Sequence, residues 1–281
     1  MLKWVEASAL PRCREELTRE RGFYRRFGQL RCVPTPLDEI DEPGRGAGLL
    51  LSYHPGTTLR QWLADQRRSP GDAARVERCA AAVGSALREL FLTELAETPD
   101  RRDELRRLGR VFTVLMKSGP VDVPADPAEL AGNTRLRRWA APLAHRAFRA
   151  TLRRIPLRAC IAHGDLHSNN VLITPDLEAL LVDFGRWEPG ECVSDLGYLA
   201  ALLETTLADR PAERDAFAAE LERTVAAAGL PVSEFDRLLQ VLRLGASVNS
   251  RLHPIGRRPV SARLRLLPRL ATRAAQTILR R

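Results

Sequence analysis

Two aspartates bracket a short hairpin, and that arrangement limits this chain more than any other feature in it. The first segment reads His163-Gly164-Asp165-Leu166-His167-Ser168-Asn169-Asn170 and runs directly into the aliphatic Val171-Leu172-Ile173. Thr174-Pro175-Asp176 supplies a turn. A second apolar run, Ala179-Leu180-Leu181-Val182, ends on Asp183-Phe184-Gly185. Two short strands flanking a turn are a hairpin signal. Asp165 can orient and deprotonate an attacking hydroxyl. Asn170 and Asp183 offer hard oxygens of the kind that hold Mg²⁺ against phosphates.

The protein-kinase signature reads H-R-D-L-x-x-x-N and then D-F-G, with the second motif ending a strand. Here Gly164 replaces the Arg, and His167 stands two residues after the Asp, where many protein kinases carry Lys. The form H-G-D-L-H-x-x-N resembles the aminoglycoside phosphotransferase-like branch of the kinase superfamily, whose members mostly phosphorylate small molecules. The resemblance is carried most strongly by residues 160–200 and extends over roughly residues 3–207. It implies an α+β, protein-kinase-like bilobal fold, with a reduced N-terminal sheet lobe over residues 1–52 and a mainly helical C-terminal lobe over 53–281. The catalytic loop would be 163–170 and the metal-binding segment 182–185.

The same resemblance implies ATP and Mg²⁺ as cofactors and a hydroxyl of a small molecule as acceptor. Asp165 would be the catalytic carboxylate. Asn170 would bind one metal and Asp183 would bridge the metals. His163 props the loop by hydrogen bonding. His167 either donates a hydrogen bond near the transferred phosphate or braces the loop. Asp195, at the start of a helix, is expected to bond back to the catalytic loop. A helix N-cap by Ser194 or Asp195 explains its residue type without catalysis.

Phosphoryl transfer depends on positioning and charge neutralisation, so the template also has a strand lysine that grips phosphates and pairs with a helix glutamate. Lys3 and Lys117 are the only lysines in the chain. Lys3 precedes Trp4-Val5 and a helix expected from about Arg12 to Leu30, with apolar residues at Leu17, Phe23, Tyr24 and Phe27. Glu20 is its expected partner, with Glu16, one turn earlier, as the alternative. With Lys3 in that role, the two strands and Gly-rich loop of the template would be absent. Either the chain as written starts too late or the nucleotide lid is lost. Gly44, Gly46 and Gly48 follow the helix, in the wrong place to cover phosphates, and residues 38–48 look like a loop.

Leu49-Leu50-Leu51 reads as a buried strand. Ser52-Tyr53-His54-Pro55-Gly56 turns the chain out of it, and Thr57 or Thr58 can cap a helix from Leu59. The resemblance makes Ser52, Tyr53 and His54 the hinge, where an adenine ring bonds backbone groups. Helical spacing continues at 72–97, 99–117 and 134–153, then near 195–207, 211–228, 232–246 and 261–279. About a hundred residues separate hinge and catalytic loop. Small-molecule kinases use such inserted helices to build a substrate pocket.

Composition sets the remaining limits. No apolar run approaches the roughly 18 residues that span a bilayer, and the N-terminus lacks a secretory h-region. The five cysteines form no C-x-x-C pair, which argues for reduced thiols, no zinc site and a cytoplasmic setting. The net charge is +9, almost all of it from arginine, and residues 251–281 hold nine arginines and no acid. That tail is either a solvated helix face or a contact for an anionic or membrane-surface partner. No specific nucleic-acid binding is expected. Two alternatives to a small-molecule kinase stay open. One is an envelope-glycan kinase resembling the lipopolysaccharide core kinases. The other is a non-catalytic pseudokinase acting as a binding module.

Overall fold

The computed structural model describes residues 1–68, 73–93, 95, 160–190, 192–207, 209–231 and 233. The chain opens with strand β1 (Leu2–Glu6) and helix α1 (Pro11–Phe27), then forms the hairpin β2 (Pro36–Glu42) and β3 (Gly46–Leu51). The three strands make one antiparallel sheet in the order β1-β3-β2. Pro11 sits in the first turn of α1, where its missing N–H costs nothing. The helix stops at Phe27, three residues short of the expected end, and the Gly28 N–H closes its last turn on Tyr24 O.

Residues 38–48 are not a loop, and the expectation is corrected here. They form most of β2, the turn and the start of β3. Two of the acidic side chains that suggested a loop, Glu39 and Asp41, are matched by arginines of α1. Arg25 meets Glu39 at 2.6 Å, and Arg21 meets Asp41 at 2.9 Å. Arg21 also donates to the carbonyls of Ile40 and Gly48. The helix thus neutralises the outer strand, a long-range pairing that local composition cannot show.

The rest of the described chain is built around small strand pairs and helices. Strand β4 (Thr57–Thr58) leads into α2 (Leu59–Arg68), and α3 (Ala73–Leu92) follows. The Thr58 hydroxyl accepts the Gln61 N–H at 3.2 Å, so Thr58 is the residue that caps α2. Strands β6 (Val171–Ile173) and β7 (Ala179–Leu181) form the expected hairpin, with β4 on its outer edge. Strand β5 (Cys160–Ala162) pairs with β8 (Glu188–Gly190). Helices α4 (Val193–Thr206) and α5 (Pro211–Ala227) complete the set, with α5 packed on α3. The whole is an α+β arrangement.

One apolar core runs from α1 through the β6–β7 hairpin to α3, α4 and α5. It includes Phe23, Leu51, Leu87, Val171, Leu181, Phe184 and Leu199, all fully or almost fully buried. No helix among the described residues is long and apolar enough to cross a membrane. All five cysteines are free thiols. The helices expected at 99–117, 134–153, 232–246 and 261–279 lie outside the described residues, Ser233 apart. So do the arginines of 251–281.

Candidate active site

The site begins with the buried stripe of α1. Leu17, Glu20, Phe23, Tyr24 and Phe27 face inward at helical spacing, and one of the five is a carboxylate. A buried carboxylate is costly unless paired. Glu20 is paired: its Oε2 lies 2.5 Å from Lys3 Nζ. Lys3 is opposite Leu49 in the β1–β3 register, so its side chain shares a face of the sheet with buried Leu49. The same Nζ donates to Asp183 Oδ1 at 2.6 Å. Lys3 therefore joins the first strand, the first helix and the segment after the β6–β7 hairpin.

The charges answer one another. Burial pushes the Glu20 carboxyl above its ordinary range, and Lys3 only partly offsets that. Burial disfavours the Lys3 cation, but Glu20 and Asp183 together more than compensate and hold its pKa above the usual value. Burial works against ionised Asp183 too, yet the bond from Lys3 wins and its carboxyl titrates below the ordinary range. Asp183 also has φ of 68°, a left-handed conformation rarely taken by residues other than glycine. Local strain of this kind is found at functional sites.

The catalytic-loop residues are fixed by backbone and side-chain bonds. Asn170 Nδ2 donates to the Asp165 carbonyl at 2.9 Å, and the Val182 N–H donates to Asn170 O at 3.0 Å. Asn170 is thereby tied to both aspartate segments, with Oδ1 left as its acceptor. His163 is fully buried; its Nε2 bonds Val182 O at 3.0 Å and its ring lies 4.5 Å from that of Phe184. Burial lowers its pKa to about 4, so the imidazole is neutral and Nε2–H is the donor. Its charge state responds to both Asp165 and Asp183. It braces the loop, as expected.

Asp195 does bond back to the loop. Its Oδ2 accepts the His163 N–H at 2.6 Å and its Oδ1 the Gly164 N–H at 3.2 Å. The N-cap expectation is corrected: the cap residue of α4 is Cys192, with no side-chain cap bond, and Asp195 lies inside the first turn. His167 Nδ1 accepts the Asn169 N–H at 3.3 Å, while its Nε2 stands 4.0 Å from Asp165 Oδ1, beyond hydrogen-bond range.

Sequence reasoning missed Arg186. Its Nη1 lies 3.1 Å from Asp165 Oδ2, and its Nε donates to Glu16 Oε1 at 3.3 Å. The signal was available: an arginine stands directly after Asp183-Phe184-Gly185, while the template's arginine before the catalytic Asp is absent. Gly164 is what permits this exchange. Its φ is 78°, and a Cβ there would come within 2.2 Å of Arg186 O. A side chain at 164 would push the second segment off the first.

In the segment after β3, Ser52 and His54 hold each other. The Ser52 hydroxyl lies 2.8 Å from His54 Nε2 and accepts the Thr35 N–H, and the Ser52 N–H donates to Thr35 O. Both side chains thus shape the segment. The Met1 ammonium donates to Leu51 O at 2.6 Å, which puts the start of β1 beside the end of β3. Gly56 lets the chain pass close to β6, since a Cβ there would be 2.4 Å from Ile173 O.

The donor set suits a hard divalent cation. Asp183 is kept ionised and half exposed, and Asn170 keeps an oxygen available. Among the described residues no three His, Cys, Asp or Glu side chains converge as a metal cluster.

The sequence profile of a phosphotransferase enzyme family matches residues 7–232. The chain belongs to that family. No curated protein sequence matches it. Among solved structures it is similar to aminoglycoside phosphotransferase APH(2'')-Ib with ADP bound. Identity is 12%, with 99% of this chain and 94% of that chain covered and a TM-score of 0.54. It is also similar to aminoglycoside phosphotransferase APH(4)-Ia, at 13% identity, 99% and 94% coverage and a TM-score of 0.52. A thermostable mutant of APH(4)-Ia in ternary complex with ADP and hygromycin B gives 14%, 94% and 82%, and 0.50. At these identities the likeness shows the fold alone, and this phosphotransferase shares that kinase-like α+β fold.

Proposed function

We propose that this phosphotransferase moves the γ-phosphate of ATP to a hydroxyl of a small molecule, with Mg²⁺. The observation that carries the reading is Lys3 held between Glu20 and Asp183, at 2.5 and 2.6 Å. No need of the core explains it, because a buried ion pair is weak evidence for stability. It does suit a phosphate grip, and the solved structures similar to this chain include ADP-bound aminoglycoside phosphotransferases.

In this reading residues 1–52 form the small lobe and 53–281 the large lobe, with nucleotide between them. Backbone groups around Ser52 and His54 receive the adenine. Lys3, oriented by Glu20, exchanges Asp183 for a phosphate oxygen; its ammonium is a compact point charge on a flexible stem. Asn170 and Asp183 would hold Mg²⁺, whose charge offsets that of the phosphates. Asp165 orients the acceptor hydroxyl and takes its proton. The acceptor oxygen bonds to the γ-phosphorus as the bridging bond to ADP breaks. His167, whose Nε2 stands 4.0 Å from Asp165 Oδ1, donates a hydrogen bond to the phosphoryl group in transit.

The test is a radiolabelled γ-phosphate transfer screen over hydroxylated small molecules, run beside nucleotide titration calorimetry with and without Mg²⁺. We expect Mg²⁺-dependent ATP binding, and transfer that falls by about 10²–10⁴-fold in Asp165→Asn with an unchanged melting curve. An Asp165→Asn protein that keeps more than about a tenth of the rate removes Asp165 from the chemistry. Binding without transfer to any acceptor would identify a pseudokinase module instead.

A further inference from the structure

We infer that Glu16 is a positioning residue for phosphotransfer, acting through Arg186 on the Asp165 carboxylate. This rests on the phosphotransferase reading above and adds a residue to it. The chain of contacts runs from Arg12 Nε to Glu16 Oε1 at 2.9 Å, from Glu16 Oε1 to Arg186 Nε at 3.3 Å, and from Arg186 Nη1 to Asp165 Oδ2 at 3.1 Å.

The geometry gives each member a task. A guanidinium is a planar fork with its donors in fixed directions. With Nε bonded to Glu16, the guanidinium stands with Nη1 3.1 Å from Asp165 Oδ2, as an ion pair on that oxygen's side. Among the described residues Oδ1 accepts no hydrogen bond, and His167 Nε2 stands 4.0 Å from it. By holding Arg186 on the Oδ2 side, Glu16 leaves Oδ1 as the oxygen that faces a hydroxyl in this proposal. The backbone is built around the same contact. A Cβ at Gly185 would lie 3.1 Å from Glu16 Cβ, and one at Gly164 would lie 2.2 Å from Arg186 O. Trp187 Nε1 donates to Arg19 O at 2.5 Å, which ties the next residue to α1 as well.

Stability does not account for this relay. Arg186 is 44% exposed and Glu16 28%, and ion pairs at such sites contribute little to folding. Position does account for it. Glu16 lies one turn before Glu20 on α1, so one helix sets the lysine at the nucleotide end and the carboxylate at the acceptor end.

The test compares wild type with Glu16→Gln, Arg186→Lys and the double variant. Steady-state kinetics are read together with the Arg186 side-chain Nε–Hε resonance in ¹⁵N-edited spectra. In Glu16→Gln we expect kcat to fall about 10- to 100-fold, the scale of a mispositioned reacting group. The KM for ATP should stay within about twofold, since uniform nucleotide binding is untouched. The melting temperature should be unchanged. The Arg186 resonance should shift and broaden. Arg186→Lys keeps the charge without the fork and should lose as much kcat, and the double variant should lose no more than either single one.

An unchanged kcat, a loss confined to the KM for ATP, additive losses in the double variant, or an unmoved Arg186 resonance would each overturn the assignment. If the wild type transfers no phosphate, the phosphotransferase reading fails with it, and the resonance alone decides whether Glu16 fixes Arg186.

Discussion

Phe184 lies flat against Phe23, with ring centroids 3.7 Å apart and planes within 5°. Phe184 follows the aspartate that Lys3 binds, and Phe23 is one turn beyond the glutamate that Lys3 binds. The stack therefore fixes the distance across which Lys3 reaches. Tyr24 and Trp187 pack edge-on around it, the arrangement aromatic rings prefer at their borders. Both phenylalanines are fully buried.

Removing that stack should cost stability and nucleotide affinity together. Phe184→Ala is expected to lower the unfolding free energy by about 3–5 kcal/mol, the range for a deleted core phenylalanine. Chemical denaturation reads the first effect and ATP titration at a temperature where the variant is folded reads the second. A destabilised variant with wild-type ATP affinity would show that the stack packs the core without placing Asp183.

Lys3 and Glu20 should separate by what each leaves behind. Lys3→Met leaves the Glu20 carboxylate buried without its cation, at a cost of about 3–5 kcal/mol. Glu20→Gln removes that charge at nearly constant volume and should be the milder change in a melting experiment. Both should raise the KM for ATP. Equal ATP kinetics in wild type and Lys3→Met would take Lys3 out of the phosphate grip.

Asp183→Asn should abolish Mg²⁺-supported nucleotide binding more completely than Asn170→Ala. A carboxylate neutralises charge where a carboxamide supplies only a dipole. Asparagine also tolerates the positive φ at 183, so the comparison is free of backbone strain. Calorimetry at fixed Mg²⁺ decides it, and the reverse order of loss would reassign the principal metal ligand.

His163 should make the fold sensitive to mild acid. Its folded pKa is about 4, lowered by burial, against an ordinary value near 6.5 in an unfolded chain. Below about pH 6.5 the unfolded state takes up a proton that the folded state refuses. Stability is therefore full above that pH and is lost as pH falls towards 4, by about 1.4 kcal/mol per pH unit. Urea midpoints at pH 7 and pH 5 measure the slope, and His163→Gln should flatten it. A slope that survives the substitution belongs to other groups.

The order Lys3, Glu20, Ser52–His54, Asp165 and Asp183 is legible in the linear chain because each residue sits in a local pattern. The hairpin of residues 171–181 announces itself through two aliphatic runs and a turn. Glu20 announces itself as a charge in an apolar helical stripe, although only the structure chose it over Glu16 as the partner of Lys3. What the chain could not show was pairing over long separations. Residues 38–48 read as a loop because they are acidic and Gly-rich, and the α1 arginines that pair with Glu39 and Asp41 are distant in sequence. Arg186 went unseen because its partners, Asp165 and Glu16, are 21 and 170 positions away. Local sequence fixes backbone preference and periodicity, whereas the partner of a charged side chain is set by which elements the core brings together. For this protein the sequence alone singled out the candidate residues and their order along the chain. Only the tertiary structure decided which oxygen, which cation and which helix turn face one another, because those choices depend on packing between segments that share no local signal.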